Sequence, residues 1–329
     1  MNSADRKTGD ACGQRQTHWA GEQPAQLMMD DSGRYPVASS TVARRRLALE
    51  LRQLRERARK SGDTVAKALY WSPSKISRYE WARTVPVPGE VAKLLAYYQV
   101  TGPQHDYLLQ LAQTAHEPGW WNAYTADIPA HQRDVIGLEH AAAEILIWQA
   151  HMVPALLQTE AYARQVIGGY RQVEPIPPGQ ASRRVTVTML RQHLLARETP
   201  PQVTVVLEES ILRRPAADAQ VMHEQLRLLA ELASGHPAVT LHVLPLTRPQ
   251  LFTGSFTLLG FGSATPEEGL PDVVAIDHFT GGCLIEDERE AYLYRLAFWH
   301  LAAEALDPAA TRSFLHDLAG SSCSSDGSR

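Results

Sequence analysis

From Val42 onward, apolar residues recur at helical spacing. In LALELRQLRERARK, Leu47, Leu51 and Leu54 share one face and arginines occupy the other, the period of an amphipathic helix. A second helix is expected from a Ser61 cap to about Leu69, burying Val65, Ala66 and Leu69. The stretch WSPSKISRYE (71–80) predicts a third. Ser72 suits the capping position, Pro73 the first helical position, Ile76 and Tyr79 point inward, and Ser74, Lys75 and Arg78 point outward. ARTVPVPGE breaks that helix, EVAKLLAYY makes a fourth, and GPQHDYLLQLAQTA makes a fifth that runs to about Ala115.

The pattern changes after HEPGWW. Residues 130–170 read as helical, with Ile145, Trp148 and Leu156 in the core, and a further helix follows the proline-rich PIPPGQ turn up to Arg197. Strand-like runs then appear at 203–209, 239–245, 255–261 and 272–279, with the helix DAQVMHEQLRLLAELAS between the first two. Strand, helix, strand signals a crossover unit, and the closely spaced later strands signal antiparallel pairing. Residues from about Asp287 to Leu318 read as helical. The fold class expected is two domains: an all-α helix-turn-helix domain of five short helices over 41–116, then a mixed α/β domain with a central sheet over 117–319. Residues 1–40 and 320–329 lack periodicity and are expected to be a disordered arm and tail.

Charge sharpens this division. The 329-residue chain has a net charge of −4, yet residues 41–83 hold twelve Lys and Arg against four Asp and Glu. One basic segment rides on an acidic body, the footprint of a nucleic-acid-docking unit when it coincides with a docking motif. No run of about 18 apolar residues occurs, so no membrane partner is expected. The isolated cysteines Cys12, Cys283 and Cys323 and the polar N-terminus fit a reduced, cytoplasmic protein.

A helix-turn-helix needs two short helices joined by a tight turn, the second entering the major groove with its N-terminal side chains at base edges. Ser61–Leu69, a turn at Tyr70-Trp71, and Ser72–Glu80 have these lengths. The expected DNA contacts are Ser72, Ser74, Lys75, Ser77 and Arg78, because Lys and Arg bond guanine edges or phosphates and serines bond phosphates.

SPSKISRYE, a proline-containing break and EVAKLLAYY resemble the phage-repressor-type (XRE) helix-turn-helix family. GWWNAY (119–124), the segment 136–167 with its LLQTE, VVLEESILRRP (205–215), LHVLP (241–245) and GSFTLLGF (254–261) follow in order. That succession is similar to the actinobacterial WhiJ-like regulators, over about residues 43–318. The resemblance implies a cytoplasmic regulator that binds double-stranded DNA, often encoded beside a small partner protein with antitoxin-like pairing. Three positions depart from the family pattern. Ser61-Gly62-Asp63 replaces Thr-Gln-Glu, Lys60 replaces an apolar residue, and Tyr70 stands where glycine is usual. Gly62 weakens its helix by up to about 1 kcal/mol relative to alanine, and Tyr70 costs roughly 1–2 kcal/mol if that position requires positive φ.

Other chemistry is sparse. The thirteen histidines form neither HExxH nor a Cys/His cluster, so no metal or cofactor is expected. No phosphate loop or GxSxG elbow appears, and no catalytic residue is assigned. Glu208-Glu209 and Asp277-His278 end two strands and could form an acid/base pair if those ends adjoin. Trp120, Trp121, Tyr124 and Trp148 fit either a ligand pocket or a hydrophobic joint between domains. Gln158 of LLQTE and the Arg213-Arg214 pair of LRRP complete the candidate ligand or interface residues. The leading expectation is a transcriptional regulator acting as a homodimer, whose second domain senses a small-molecule effector, dimerises or binds a small protein. The alternatives are an enzyme of specialised metabolism that keeps a degenerate helix-turn-helix as scaffold, and a protein–protein interaction module.

Overall fold

The computed structural model describes residues 39–213, 218–248, 254–262, 270–278 and 281–322. Most of the expected N-terminal arm and C-terminal tail lies outside the described residues, but Ser39 and Ser40 cap and begin the first helix and the last helix runs on to Ser322, which corrects the expectation at 39–40 and 320–322. The first helix starts two residues before Val42: α1 (Ser40–Arg57) is capped by Ser39, whose hydroxyl accepts from the Val42 N–H at 3.3 Å. Four short helices follow: α2 (Gly62–Leu69), α3 (Pro73–Glu80), α4 (Pro88–Tyr97) and α5 (Pro103–Thr114). The last three begin at proline, which has no N–H to leave unbonded in a first turn. Leu47, Leu51, Val65, Ile76, Leu95 and Leu108 close a single core among the five.

The second domain contains α6 (Ala130–Glu139), β1 (Glu144–Gln149), α7 (Glu160–Tyr170), α8 (Pro178–Gln192), β2 (Gln202–Glu208) and α9 (Glu209–Arg213). It continues through α10 (Ala219–Gly235), β3 (Val239–Leu244), β4 (Phe256–Gly260), β5 (Val273–His278), β6 (Gly281–Ile285), α11 (Glu288–Glu304) and α12 (Pro308–Ser322). The six strands form one mixed sheet in the order β3-β2-β1-β4-β5-β6. β1, β2 and β3 are parallel, with α10 as the crossover between β2 and β3, and β4, β5 and β6 pair antiparallel. Helices cover both faces. Ile145 and Ile147 of β1 face the core shared with α10 and α12, while Leu146 and Trp148 face the core under Phe298 of α11.

The helical reading of 130–170 holds at its ends and fails at its centre. Glu144–Gln149 is the strand on which the sheet is built, and Ile145, Trp148 and Leu156 are buried as expected. An interior strand buried on both faces reads as a continuous apolar run, which periodicity does not separate from a buried helix. β6 was also unexpected: GGCLI has no alternation, and it is a strand because β5 offers it a pairing edge. The ends of β2 and β5 do not adjoin. Two strands lie between them, about 14 Å at the usual inter-strand spacing. Asp277 instead pairs with His131 at 2.7 Å, and Glu209 with Arg213 at 2.5 Å, which removes the acid/base pair.

The two domains share α1. Ala43, Leu47, Leu51 and Leu54 belong to the helical core, whereas Val42, one residue earlier, belongs to the α/β core. The Ser39 hydroxyl donates to the Gly137 carbonyl at 2.5 Å, Arg44 pairs with Asp134 at 2.7 Å, and Arg45 pairs with Glu286. A Cβ on Gly137 would lie 2.0 Å from the Thr41 hydroxyl oxygen and 3.1 Å from the Trp121 ring. Thr41 is buried and short, with no room to swing aside. Gly137→Ala is therefore expected to push α1 off α6 and lower the stability read from urea unfolding by about 1–3 kcal/mol. An unchanged midpoint would contradict this close approach.

Candidate nucleic-acid interface

α2 and α3, eight residues each, are joined by Tyr70, Trp71 and Ser72. Ser61 caps α2 by accepting from the Thr64 N–H at 3.1 Å, so this helix forms despite Gly62, and an added Cβ at that glycine would meet Ile76 only at 3.9 Å. Tyr70 ends α2 in the left-handed region, at φ 57 and ψ 38. Its N–H bonds the Lys67 carbonyl and that of Trp71 bonds the Ala66 carbonyl, the paired bonds of a Schellman ending. Arg59, Ala82 and Gln99 have positive φ in the same paired-bond endings after α1, α3 and α4. All four endings lack the glycine that this conformation favours.

α3 is anchored from below. Ile76 and Tyr79 are buried, and the Tyr79 hydroxyl donates to Glu90 Oε2 at 2.5 Å. Burial, together with that bond, raises the phenol pKa above its usual range. Burial also works against ionisation of Glu90, but hydrogen bonds from Lys75 and Tyr79 outweigh it and lower the carboxyl pKa. At the other end of the helix, Arg55 of α1 donates to Glu80 at 2.7 Å. These part-buried, charge-assisted bonds set the rotation of α3 about its axis.

Of the five expected contact residues, Ser72, Ser74, Ser77 and Arg78 are exposed. Lys75 is not turned fully outward. It is half-buried, paired with Glu90, and its Nζ sits 4.4 Å from the centroid of the Trp71 ring. Sequence reasoning overlooked Glu90 because it lies across the proline break on α4. Around α3, Lys67, Arg83 and Lys93 are exposed with no ion pair among the described residues. Arg52 of α1 lies over the ring of exposed Trp81 at 4.9 Å.

The other candidates are dispersed. Trp120, Trp121 and Tyr124 gather in a short 3-10 helix (120–124) with edge-on ring contacts at 5.9 and 6.3 Å. Trp121 is buried against Ile128, Ile136 and Val187 beside the α1–α6 contact. Trp148 does not join them, because β1 carries it to the α11 face of the sheet. Gln158 is buried, with its amide donating to the Val153 carbonyl at 2.7 Å, so its polar groups serve the fold. Arg213 pairs with Glu209 and lies 5.6 Å from the Phe314 ring centroid, and Arg214 falls outside the described residues. Among the described residues, no three His, Cys, Asp or Glu side chains gather to hold a metal, and no helix is long and apolar enough to cross a membrane.

Two helices at this spacing, the second anchored inside and polar outside, define a helix-turn-helix protein with an α/β companion domain. A helix-turn-helix domain family matches residues 46–108, covering most of α1 to α5. A domain of unknown function, DUF5753, matches residues 132–317, more than half of the chain, and the chain belongs to that family. No curated protein and no solved structure matches it. The helix-turn-helix match supports a DNA-binding regulator.

The left-handed Tyr70 gives a stability test. Its side chain is 96% exposed, so its replacement removes almost no packing. Tyr70→Gly is expected to stabilise the protein by about 1 kcal/mol, seen as a higher Tm. A lower Tm would mean that the turn does not hold this conformation.

Proposed function

We propose that the protein is a transcriptional regulator that docks on double-stranded DNA through α3, with Ser74, Ser77 and Arg78 at the bases and phosphates. The observation that carries this reading is the exposed polar face of α3, held in place by Tyr79–Glu90 and Arg55–Glu80 within the basic segment. No side chain caps α3, and with Pro73 lacking an N–H and that of Lys75 bonded to the Ser72 carbonyl, the Ser74 N–H remains to meet a phosphate. Lys75 serves by orienting α3 through Glu90, and phosphate attraction comes from the exposed Lys67, Arg78 and Arg83. In this reading the protein works as the WhiJ-like regulators it resembles do, and its α/β domain provides dimerisation or effector sensing.

A second copy is the occupant we assign to the outer face of α11. Tyr292, Leu293, Leu296 and Trp299 are all large, apolar and exposed on that helix. Their spacing is close to symmetric about Leu296, so α11 can lie antiparallel against itself across a twofold axis. Such a dimer presents two copies of α3 to paired half-sites.

Genomic DNA captured with the purified protein and sequenced should be enriched in a defined site. Arg78→Ala is expected to weaken binding to that site by about 1–3 kcal/mol, and log affinity should fall linearly with log salt. No enriched site, together with binding indifferent to Arg78→Ala, would sink the regulator reading. For assembly, sedimentation equilibrium should give a dimer for the wild type and a monomer for Leu296→Glu. A wild-type monomer, or a dimer that tolerates the glutamate, would reject α11 as the interface. Saturation by a small protein of different sequence would favour the partner-binding alternative.

A further inference from the structure

A cavity of about 320 Å³ opens between α6, α8 and the 3-10 helix at 120–124, a volume at the lower end for small-molecule sites. Trp120, Ile136, Leu190 and Leu194 make its wall apolar. Two arginines reach it, and their circumstances differ. Arg191 is fully committed: its guanidinium forms a two-pronged pair with Glu139 at 2.7 and 3.0 Å. That pair is deeply buried and leaves no net charge.

Arg197 has no carboxylate partner among the described residues. Its guanidinium donates to the His140 carbonyl at 2.7 Å and also meets the His140 ring. Burial and Arg197 together lower the His140 pKa to about 4, so the ring is neutral at ordinary pH and accepts a hydrogen bond from its neighbour. Burial also lowers the Arg197 pKa below its usual value. A half-buried guanidinium satisfied only by neutral acceptors is an uncompensated positive charge beside an apolar wall. Among the arginines and carboxylates that line the cavity the sum is +1, with Glu139 cancelled by Arg191; Asp277, which also acts on Arg191, lies outside the lining and is paired with His131.

We propose that this cavity binds a small amphipathic carboxylate, its apolar body against Trp120, Leu190 and Leu194 and its carboxylate on the Arg197 guanidinium. A single negative charge completes the balance. A phosphate ester brings roughly two charges and needs more donors than this wall offers. The cavity is also next to the domain joint. Ile136 and Glu139 of α6 and His140 at its C-cap line it, while Asp134 and Gly137 of the same helix hold α1. That the ligand acts as an effector rests on the regulatory reading above; that it binds does not.

The test uses the full-length protein without DNA, titrated calorimetrically with indole-3-acetate, phenylacetate and their amides. At least one carboxylate is expected to bind about tenfold more tightly than its own amide, and Arg197→Gln to erase that difference with the amide unaffected. If Arg197→Gln does not fold, Leu190→Glu sets a fixed carboxylate at the partly exposed cavity wall and is expected to weaken the carboxylate by about tenfold as well. The proposal is overturned if both carboxylates fail to bind at roughly 1 mM, if each amide matches its carboxylate, or if the carboxylate binds the variants as tightly as the wild type. Carboxylate binding in a protein that selects no DNA site would uphold this site and reject the regulator reading alone.

Discussion

Gly137 lets α6 approach α1 more closely than any side chain would allow, and both domains depend on that approach. α1 enters two hydrophobic cores at consecutive residues, Val42 in one and Ala43 in the other. Around the crossing, Ser39 bonds the Gly137 carbonyl, Arg44 holds Asp134, and Arg45 reaches Glu286 just after β6. A hydrophobic contact alone would allow the helix to slide. The directional bonds and ion pairs fix its register, and the missing Cβ sets its distance. The helical domain is therefore carried on a rigid arm rather than on a linker.

The same helix organises the DNA-facing unit. Arg55, near the far end of α1, holds Glu80 at the end of α3, so the docking helix is referred back to the arm. Tyr79 and Lys75 tie α3 to Glu90 of α4. Against these ties stand four helix endings whose left-handed residue is not glycine, each of which costs roughly 1–2 kcal/mol. The departures from the family pattern at Gly62 and Tyr70 thus weaken the helical domain without preventing its shape. Shared packing through α1 offsets what local propensity withholds.

Much of this was legible in the chain. The apolar spacing of Leu47, Leu51 and Leu54 and the Ser-Pro start of α3 are local signals, and local signals located all five helices, the first of them longer than expected. The place of Tyr70 in the turn raised positive φ only as a condition, which the turn meets. The central strand β1 was not legible, because Ile-Leu-Ile-Trp buried on both faces carries no alternation, and β6 depends on the edge offered by β5. The tie between Lys75 and Glu90 crosses a proline break, so spacing within α3 did not reveal it. The Arg197 cavity gathers residues from 120 to 197 through tertiary packing, and none of them forms a motif. Trp120 alone among its walls stood out in the sequence.

Differential scanning calorimetry of the full chain tests the shared arm most directly. If α1 belongs to both cores, the helical domain does not unfold while the α/β domain stays folded. A single transition is then expected, with calorimetric and van't Hoff enthalpies equal. Two resolved transitions, the first removing only the helical domain, would contradict the account.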